Sequence, residues 1–383
     1  MSRRAFVVVL DACGVGALPD AEEYGDAGAD TLGHLAAAVG GLDLPALEAL
    51  GLGMVAPLAG VAQVPEPALH GRLHPLGPGK DSTTGHWELM GVVTPAPLPT
   101  YPDGFPPEIV DALSRRTGRG ILGNHPAEGV EAILTYGDEH LRTGDLVVYT
   151  SADSVLQIAA HVDVLATEEL YALCADAREV MRGEHAVGRV IARPFQGAPG
   201  EFTRTLGRRD FSVRPPGRSY LEEARDAGVR VHAVGKVSQL FAGVGVDEAH
   251  PGATNAIALA SIDRLLDSLD GGLVFANLVD TDQVHGHRKD VAGFERALRE
   301  IDAAVARWTQ RLGEGDMLVL SADHGCDPTT PGTDHTREYA PLLALFHGHG
   351  GARHDGPLAD VGASALDWLT GRRAQLRGES FVP

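Results

Sequence analysis

The sequence predicts an α/β fold in which a mostly parallel sheet lies between layers of helices, and three observations carry that expectation. Short apolar runs without polar alternation recur at residues 6–10 (FVVVL), 272–279 (GLVFANLV) and 317–320 (MLVL), which is how strands buried on both faces of a parallel sheet read. Each run leads straight into acid or imidazole side chains: Asp11, then Asp280 and Asp282, then Asp323 and His324. Between the runs lie amphipathic segments suited to covering such a sheet.

Taken in order, residues 6–10 form the first interior strand, and the loop beginning at Asp11 leaves its carboxyl end. Residues 229–235 (VRVHAVG) read as another interior strand, and residues 255–269 and 358–369 as helices. Val291, Phe294, Leu298, Ile301, Val305, Trp308 and Leu312 fall at steps of three and four, one apolar stripe on a long helix. In open α/β sheets functional groups gather beyond the carboxyl ends of strands, so the three acidic loops are expected to converge although they lie far apart in the chain. The middle differs. Proline clusters near Pro95 and Pro215 bracket helices and the strands LVVYT and VGRVIARPF, which suggests an inserted smaller α/β cap domain at 97–213 within a core of 1–96 and 214–383.

Composition narrows the function. The 383 residues include 32 Lys and Arg against 52 Asp and Glu, a formal charge of −20, so neither nucleic acid nor an acidic membrane surface is an expected partner. Cys13, Cys174 and Cys326 share no CxxC spacing, which gives neither a disulfide framework nor a thiolate zinc site. The basic start is followed by an apolar run too short for a signal peptide and broken by Asp11, so a cytoplasmic protein is expected.

Carboxylates and imidazoles carry the chemistry instead. Asp11, Asp282, His287, Asp323, His324 and His335 are six hard or borderline ligands, enough for two cations of the Mn2+, Mg2+ or Zn2+ kind. Two such ions roughly 3.5–4 Å apart clamp the attacking and leaving oxygens of a phosphoryl transfer. The segment GKDSTTGHWEL at 79–89 adds hydroxyls at the possible start of a helix, where backbone N–H groups face an anion. Ser82 there is either a helix cap or an activated nucleophile, and Lys80 either a solvated cation or a partner for phosphoryl oxygens.

The strings LDACGVGALPDAEEYGDAGADTLGH, GKDSTTGHWELMG, VVYTSADSVLQIAAH, GRVIARPF, NLVDTDQVHGHRKD and SADHGCDPTTPGTDHTREYAPLL resemble the phosphopentomutase family of the alkaline phosphatase superfamily, nearly end to end and including the inserted segment. The resemblance implies an alkaline-phosphatase-like sandwich and a mutase that interconverts the 1- and 5-phosphates of ribose or 2-deoxyribose through a phosphoenzyme and a pentose 1,5-bisphosphate. It implies one Mn2+ on Asp11, Asp323 and His324 and another on Asp282, His287 and His335, with the nucleophile's oxygen between them. The family's nucleophile, commonly threonine, falls on Ser82, with Thr83 the alternative. Cys326 stands where the family often has asparagine. Substrate contacts fall on Ser151, Asp153, Arg189, Arg204 and Lys236, and a primer such as glucose 1,6-bisphosphate is implied as activator. A cap would shield the phosphoenzyme from water. A metal-dependent phosphatase and a phosphoglycerate-type mutase share such a core, and a metal-binding scaffold without turnover is the rival outside enzymes.

Overall fold

The structure, a computed structural model, describes residues 3–383 apart from 152, 333, 349 and 374. The chain divides into two compact units, Met1–Pro97 with Pro215–Pro383, and Leu98–Arg214.

The larger unit is built on an eight-stranded sheet in the order Glu248–His250, Val231–Val234, Gly272–Leu278, Arg4–Leu10, Asp316–Ser321, Ala340–Phe346, Leu69–His74, Gly356–Pro357. The first five strands run parallel, as the continuous apolar runs imply, and Ala340–Phe346 is antiparallel to both its neighbours. Val7, Val8 and Val9 are wholly buried at the centre. Asn255–Ser268 packs on Gly272–Leu278 and against Val291–Thr309, while Asp360–Thr370 packs on the three central strands. Phe294, Leu298, Ile301, Val305 and Trp308 of the expected stripe are buried. The helix ends at Thr309, short of Leu312, because Gly313 turns the chain and Asp316 Oδ2 accepts its N–H at 2.7 Å. Asp316 is in turn gripped bidentately by Arg4, at 2.7 and 2.6 Å, which ties two neighbouring strands at their amino ends.

Leu98–Arg214 has its own sheet, Ile121–Pro126, Leu146–Thr150, Val155–His161, Arg189–Gln196 and Thr203–Arg204, with Arg209–Ser212 also paired to Arg189–Gln196. Alternate residues serve opposite faces. Leu146, Val148, Leu156 and Ile158 pack with Leu170 and Cys174, whereas Val147, Tyr149 and Ala159 pack with Ile133, Phe195 and Phe202. No helix among the described residues is long and apolar enough to cross a membrane.

Candidate metal centre

The register of the central strands brings the acidic loops together. Leu10 pairs with Leu278 and Val9 with Ser321, so Asp11, the turn after Leu278, and Asp323 emerge side by side at the carboxyl ends. Asp282 and His287 lie five apart on a π-helical turn, Thr281–Gly286, closed by His287 N donating to Asp282 O at 3.1 Å. An α-helix would carry a residue five places on to a different face. The wider turn sets both side chains toward one point, and such turns recur at functional sites.

His324 Nε2 lies 3.5 Å from Asp11 Oδ1 and 3.3 Å from Asp323 Oδ2. Asp282 Oδ1 lies 3.4 Å from His287 Nε2 and 3.5 Å from His335 Nε2, and the two imidazole nitrogens are 3.2 Å apart. All six expected ligands therefore form two adjoining triads. The donor set fits cations, because Asp11 Oδ1 and Asp282 Oδ1 are buried oxygens without a hydrogen-bond partner, a costly state for a carboxylate unless a charge neutralises it. Electrostatics agree. Burial, with Asp323 and Asp282 close by, pushes Asp11 well above the usual carboxylate range. Burial acts the same way on Asp323, yet His324 and His86 hold it down to about 2. It also acts on Asp282, where His335, His324 and His287 hold the group below its ordinary range. Burial lowers His324, which favours the neutral imidazole a metal requires. Cys326 Sγ lies within 4.8 Å of ligand atoms of Asp282 and His287, but burial pushes its thiol up and opposes the thiolate.

Most polar residues of GKDSTTGHWEL have a distinct task. Asp81 caps the helix Ser82–Leu89, its Oδ1 accepting from Thr83 N at 2.9 Å and Thr84 N at 3.1 Å, which leaves the Ser82 hydroxyl out of the cap. Ser82 Oγ stands 3.1 Å from His324 Nε2. Glu88 accepts from Leu76 N and Gly77 N, at 2.6 and 2.9 Å, and Trp87 Nε1 donates to Leu240 O at 2.9 Å. Lys80 Nζ is placed between Asp26 and Asp334, at 3.1 and 3.2 Å. Gly85 lets the helix touch the ligand loop, since a Cβ there would lie 2.5 Å from the Asp323 carbonyl oxygen. Gly85→Ala is therefore expected to displace Asp323 and lower kcat by on the order of 10–100-fold, with weaker metal retention on dialysis.

A family model described as the Metalloenzyme superfamily matches residues 3–371. The solved phosphoglycerate mutase of Leishmania mexicana is similar with a TM-score of 0.48 and 14% identity, over 99% of this chain and 97% of that one. The phosphopentomutase of Caldanaerobacter subterraneus subsp. tengcongensis is 51% identical over 90% of this chain and 87% of its own length. That of Anaeromyxobacter sp. (strain K) is 52% identical over 100% of this chain and 99% of its own. The chain belongs to the phosphopentomutase family. It is thereby an enzyme, and a metalloenzyme.

Sequence reasoning missed the groups that hold this candidate centre in shape. Asn277 Nδ2 donates to Asp11 Oδ2 and lies equally close to His86 Nε2, at 3.0 Å each. With both amide hydrogens used, Nε2 of His86 is the acceptor, and its Nδ1–H faces Ser82 O at 2.8 Å and Asp323 Oδ2 at 3.0 Å. One amide and one imidazole so connect both carboxylates of a triad with the helix carrying Ser82. Glu338 accepts from the Thr31 and Thr336 hydroxyls, at 2.6 Å each, and from Thr31 N at 2.8 Å. Arg337 donates to the carbonyls of Gly77 and Gly79, at 2.9 and 2.8 Å, and to Asp20. The adjacent pair thus fixes the loop ahead of Ser82 and the loop after Asp11. The signal in sequence was Arg337 and Glu338 two and three places after His335.

Of the expected substrate contacts, Ser151, Asp153 and Arg189 are neighbours within Leu98–Arg214: Asp153 N donates to Ser151 Oγ at 3.3 Å, and Arg189 lies 3.6 Å from both Asp153 and Asp210. Arg204 comes from farther along the sheet: its backbone pairs with Phe195, six residues or about 20 Å of strand beyond Arg189, and its guanidinium lies beside Gly129 and Tyr149. Lys236 follows the strand Val231–Val234, near enough to Asp11 for its charge to act against the upward push on that carboxyl.

Proposed function

We propose that the chain interconverts α-D-ribose 1-phosphate, or its 2-deoxy analogue, with the 5-phosphate, through a phosphoserine at Ser82 and a pentose 1,5-bisphosphate. The observation that carries this reading is the Ser82 hydroxyl, left out of the helix cap and 3.1 Å from His324 in a chain whose phosphopentomutase relatives match over nearly its whole length. Asp11, Asp323 and His324 would hold one Mn2+, and Asp282, His287 and His335 the other. The ions would supply positive charge to the transferring phosphoryl oxygens.

The remaining steps belong to the protein. Phospho-Ser82 gives its phosphoryl group to the free sugar hydroxyl; the Oγ–P bond breaks, an O–P bond to the sugar forms, and the hydroxyl proton is released. The bisphosphate reorients, and Ser82 Oγ takes the other phosphoryl group as that sugar oxygen regains a proton. Ser151 and Asp153 would bind sugar hydroxyls, Arg189 and Arg204 the distal phosphate, and Lys236 the charge near Asp11. Lys80, shared by Asp26 and Asp334, steadies the residue next to His335 and adds charge near the phosphoryl group. A sugar bisphosphate such as glucose 1,6-bisphosphate would first charge Ser82. The three buried free cysteines fit a reducing compartment, the cytoplasm.

A 31P NMR time course of Mn2+-loaded protein with α-ribose 1-phosphate and a trace of glucose 1,6-bisphosphate tests this. Ribose 5-phosphate is expected without accumulating inorganic phosphate. Inorganic phosphate as the main product would make the protein a phosphatase, and inertness toward pentose phosphates with turnover of phosphoglycerate would make it a mutase of the other kind.

A further inference from the structure

A second convergence of metal-binding side chains lies at the edge of the large sheet. The short strand Glu248–His250 is that edge, and in its parallel register Glu248 faces His232 while His250 faces Val234. Residues 248 and 250 share one face by the period of two, and His232, directly opposite Glu248, projects on the same side. His232 Nδ1 lies 3.0 Å from His250 Nε2 and 3.7 Å from Glu248 Oε2, and His250 Nε2 lies 3.8 Å from Glu248 Oε1. This cluster is distinct from the centre already described. His232 pairs with Val274, four residues or roughly 13 Å of strand before Leu278, where the loop toward Asp282 begins.

An internal hydrogen bond between the two rings accounts for only part of this geometry. The Glu248 oxygens stop beyond hydrogen-bond reach of either ring nitrogen, yet stay close enough that all three donors converge. Donor atoms about 2.0–2.1 Å from a tetrahedral Zn2+ sit about 3.3 Å from one another. The ring nitrogens stand 3.0 Å apart and 3.7 and 3.8 Å from Oε2 and Oε1 of Glu248 respectively, and one donor atom from each residue lies within 4.8 Å of the other two. His232 is buried, His250 is 15% exposed and Glu248 53% exposed, so the cluster opens to solvent on one side, where water can complete the coordination. Burial and the neighbouring His250 lower His232, keeping its ring in the neutral form that ligates. Asp247 is not a competing ligand, because it accepts from Arg225 and Val231 N.

We infer that His232, Glu248 and His250 form a separate site for a late first-row transition-metal dication, Zn2+ above all, which fastens the three-residue edge strand to Val231–Val234. Two imidazoles and one carboxylate, with water in the fourth position, are a common donor set for four-coordinate Zn2+. The test compares the full chain with His250→Ala and Glu248→Gln, neither of which touches the phosphotransfer centre. Each protein is stripped with chelator, loaded with Zn2+, desalted and analysed by plasma mass spectrometry. The unaltered chain is expected to retain one more equivalent of Zn2+ than either variant, and its Co2+-substituted form to show tetrahedral ligand-field absorption that His250→Ala loses. Mn2+-supported activity, the check on folding, stays the same in all three. Equal Zn2+ content in the three proteins would overturn the site.

Discussion

Ser82→Ala is expected to lower turnover by on the order of 10^4-fold or more while the protein keeps its metal. The three successive hydroxyls of GKDSTTG are not equivalent. Thr84 Oγ1 donates to Asp81 Oδ2 at 2.8 Å and serves the helix cap, Thr83 is only 7% exposed, and Ser82 Oγ is the hydroxyl beside His324. A centre with six candidate ligands loses little when this hydroxyl goes, so metal content by mass spectrometry and thermal melting should hardly move. Ser82→Thr keeps the reacting oxygen and is expected to retain activity within about tenfold, whereas Thr83→Ala changes packing but not the chemistry. The measurement is kcat together with phosphate incorporation after incubation with a sugar bisphosphate primer. An active, phosphorylatable Ser82→Ala beside an inactive Thr83→Ala would transfer the nucleophile to Thr83.

How much of this could be read from the chain follows from the range over which each feature is determined. The interior strands and the Val291–Thr309 helix are legible because their apolar patterns are local consequences of covering a sheet, and the acids after strands mark a site for the same reason. The antiparallel strand Leu69–His74 gave no such signal. LHGRLH contains two histidines, a glycine and an arginine, and it is a strand because Ala340–Phe346 offers it partners. Gly71 is required there, since a Cβ would fall 1.7 Å from the His354 carbonyl oxygen, a contact no local pattern announces.

The candidate site divides in the same way. Its ligands are conspicuous as residue types, but the π-helical turn that aligns Asp282 with His287 is a backbone choice that the letters DQVHGH do not reveal. Asn277 looks like an interruption in a hydrophobic strand until Asp11 and His86 are placed on either side of it. Ser82 was the reverse case. Its cap role was the plainer local reading, and the structure gives that role to Asp81. Lys80 also reads differently in place, because two carboxylates already share its charge.

The same electrostatics make Asp11→Asn a variant with opposite effects in two states. In the metal-free protein Asp11 is buried beside Asp323 and Asp282, and burial together with these two carboxylates favours the neutral form of its carboxyl. Asparagine supplies that neutral form at nearly the same shape. Its oxygen can keep the contact from Asn277, and its amide can donate toward the unpartnered carboxylate oxygens of the centre. In chelator, Asp11→Asn should therefore melt a few degrees above the unaltered protein, the size expected when ~1 kcal/mol of buried like-charge repulsion is removed. With Mn2+ in excess the order should reverse. A site filled at a hundred times its dissociation constant contributes about 2.7 kcal/mol, and losing one such site lowers the melting temperature by roughly 5–10 °C, with activity falling as metal content falls. Melting curves of both proteins, in chelator and in Mn2+, decide the matter. A variant less stable than the unaltered chain in both media would mean that Asp11 serves the fold through packing and hydrogen bonding. A crossing of the two orders would identify its charge as held in place for a cation, at a cost that the empty fold bears alone.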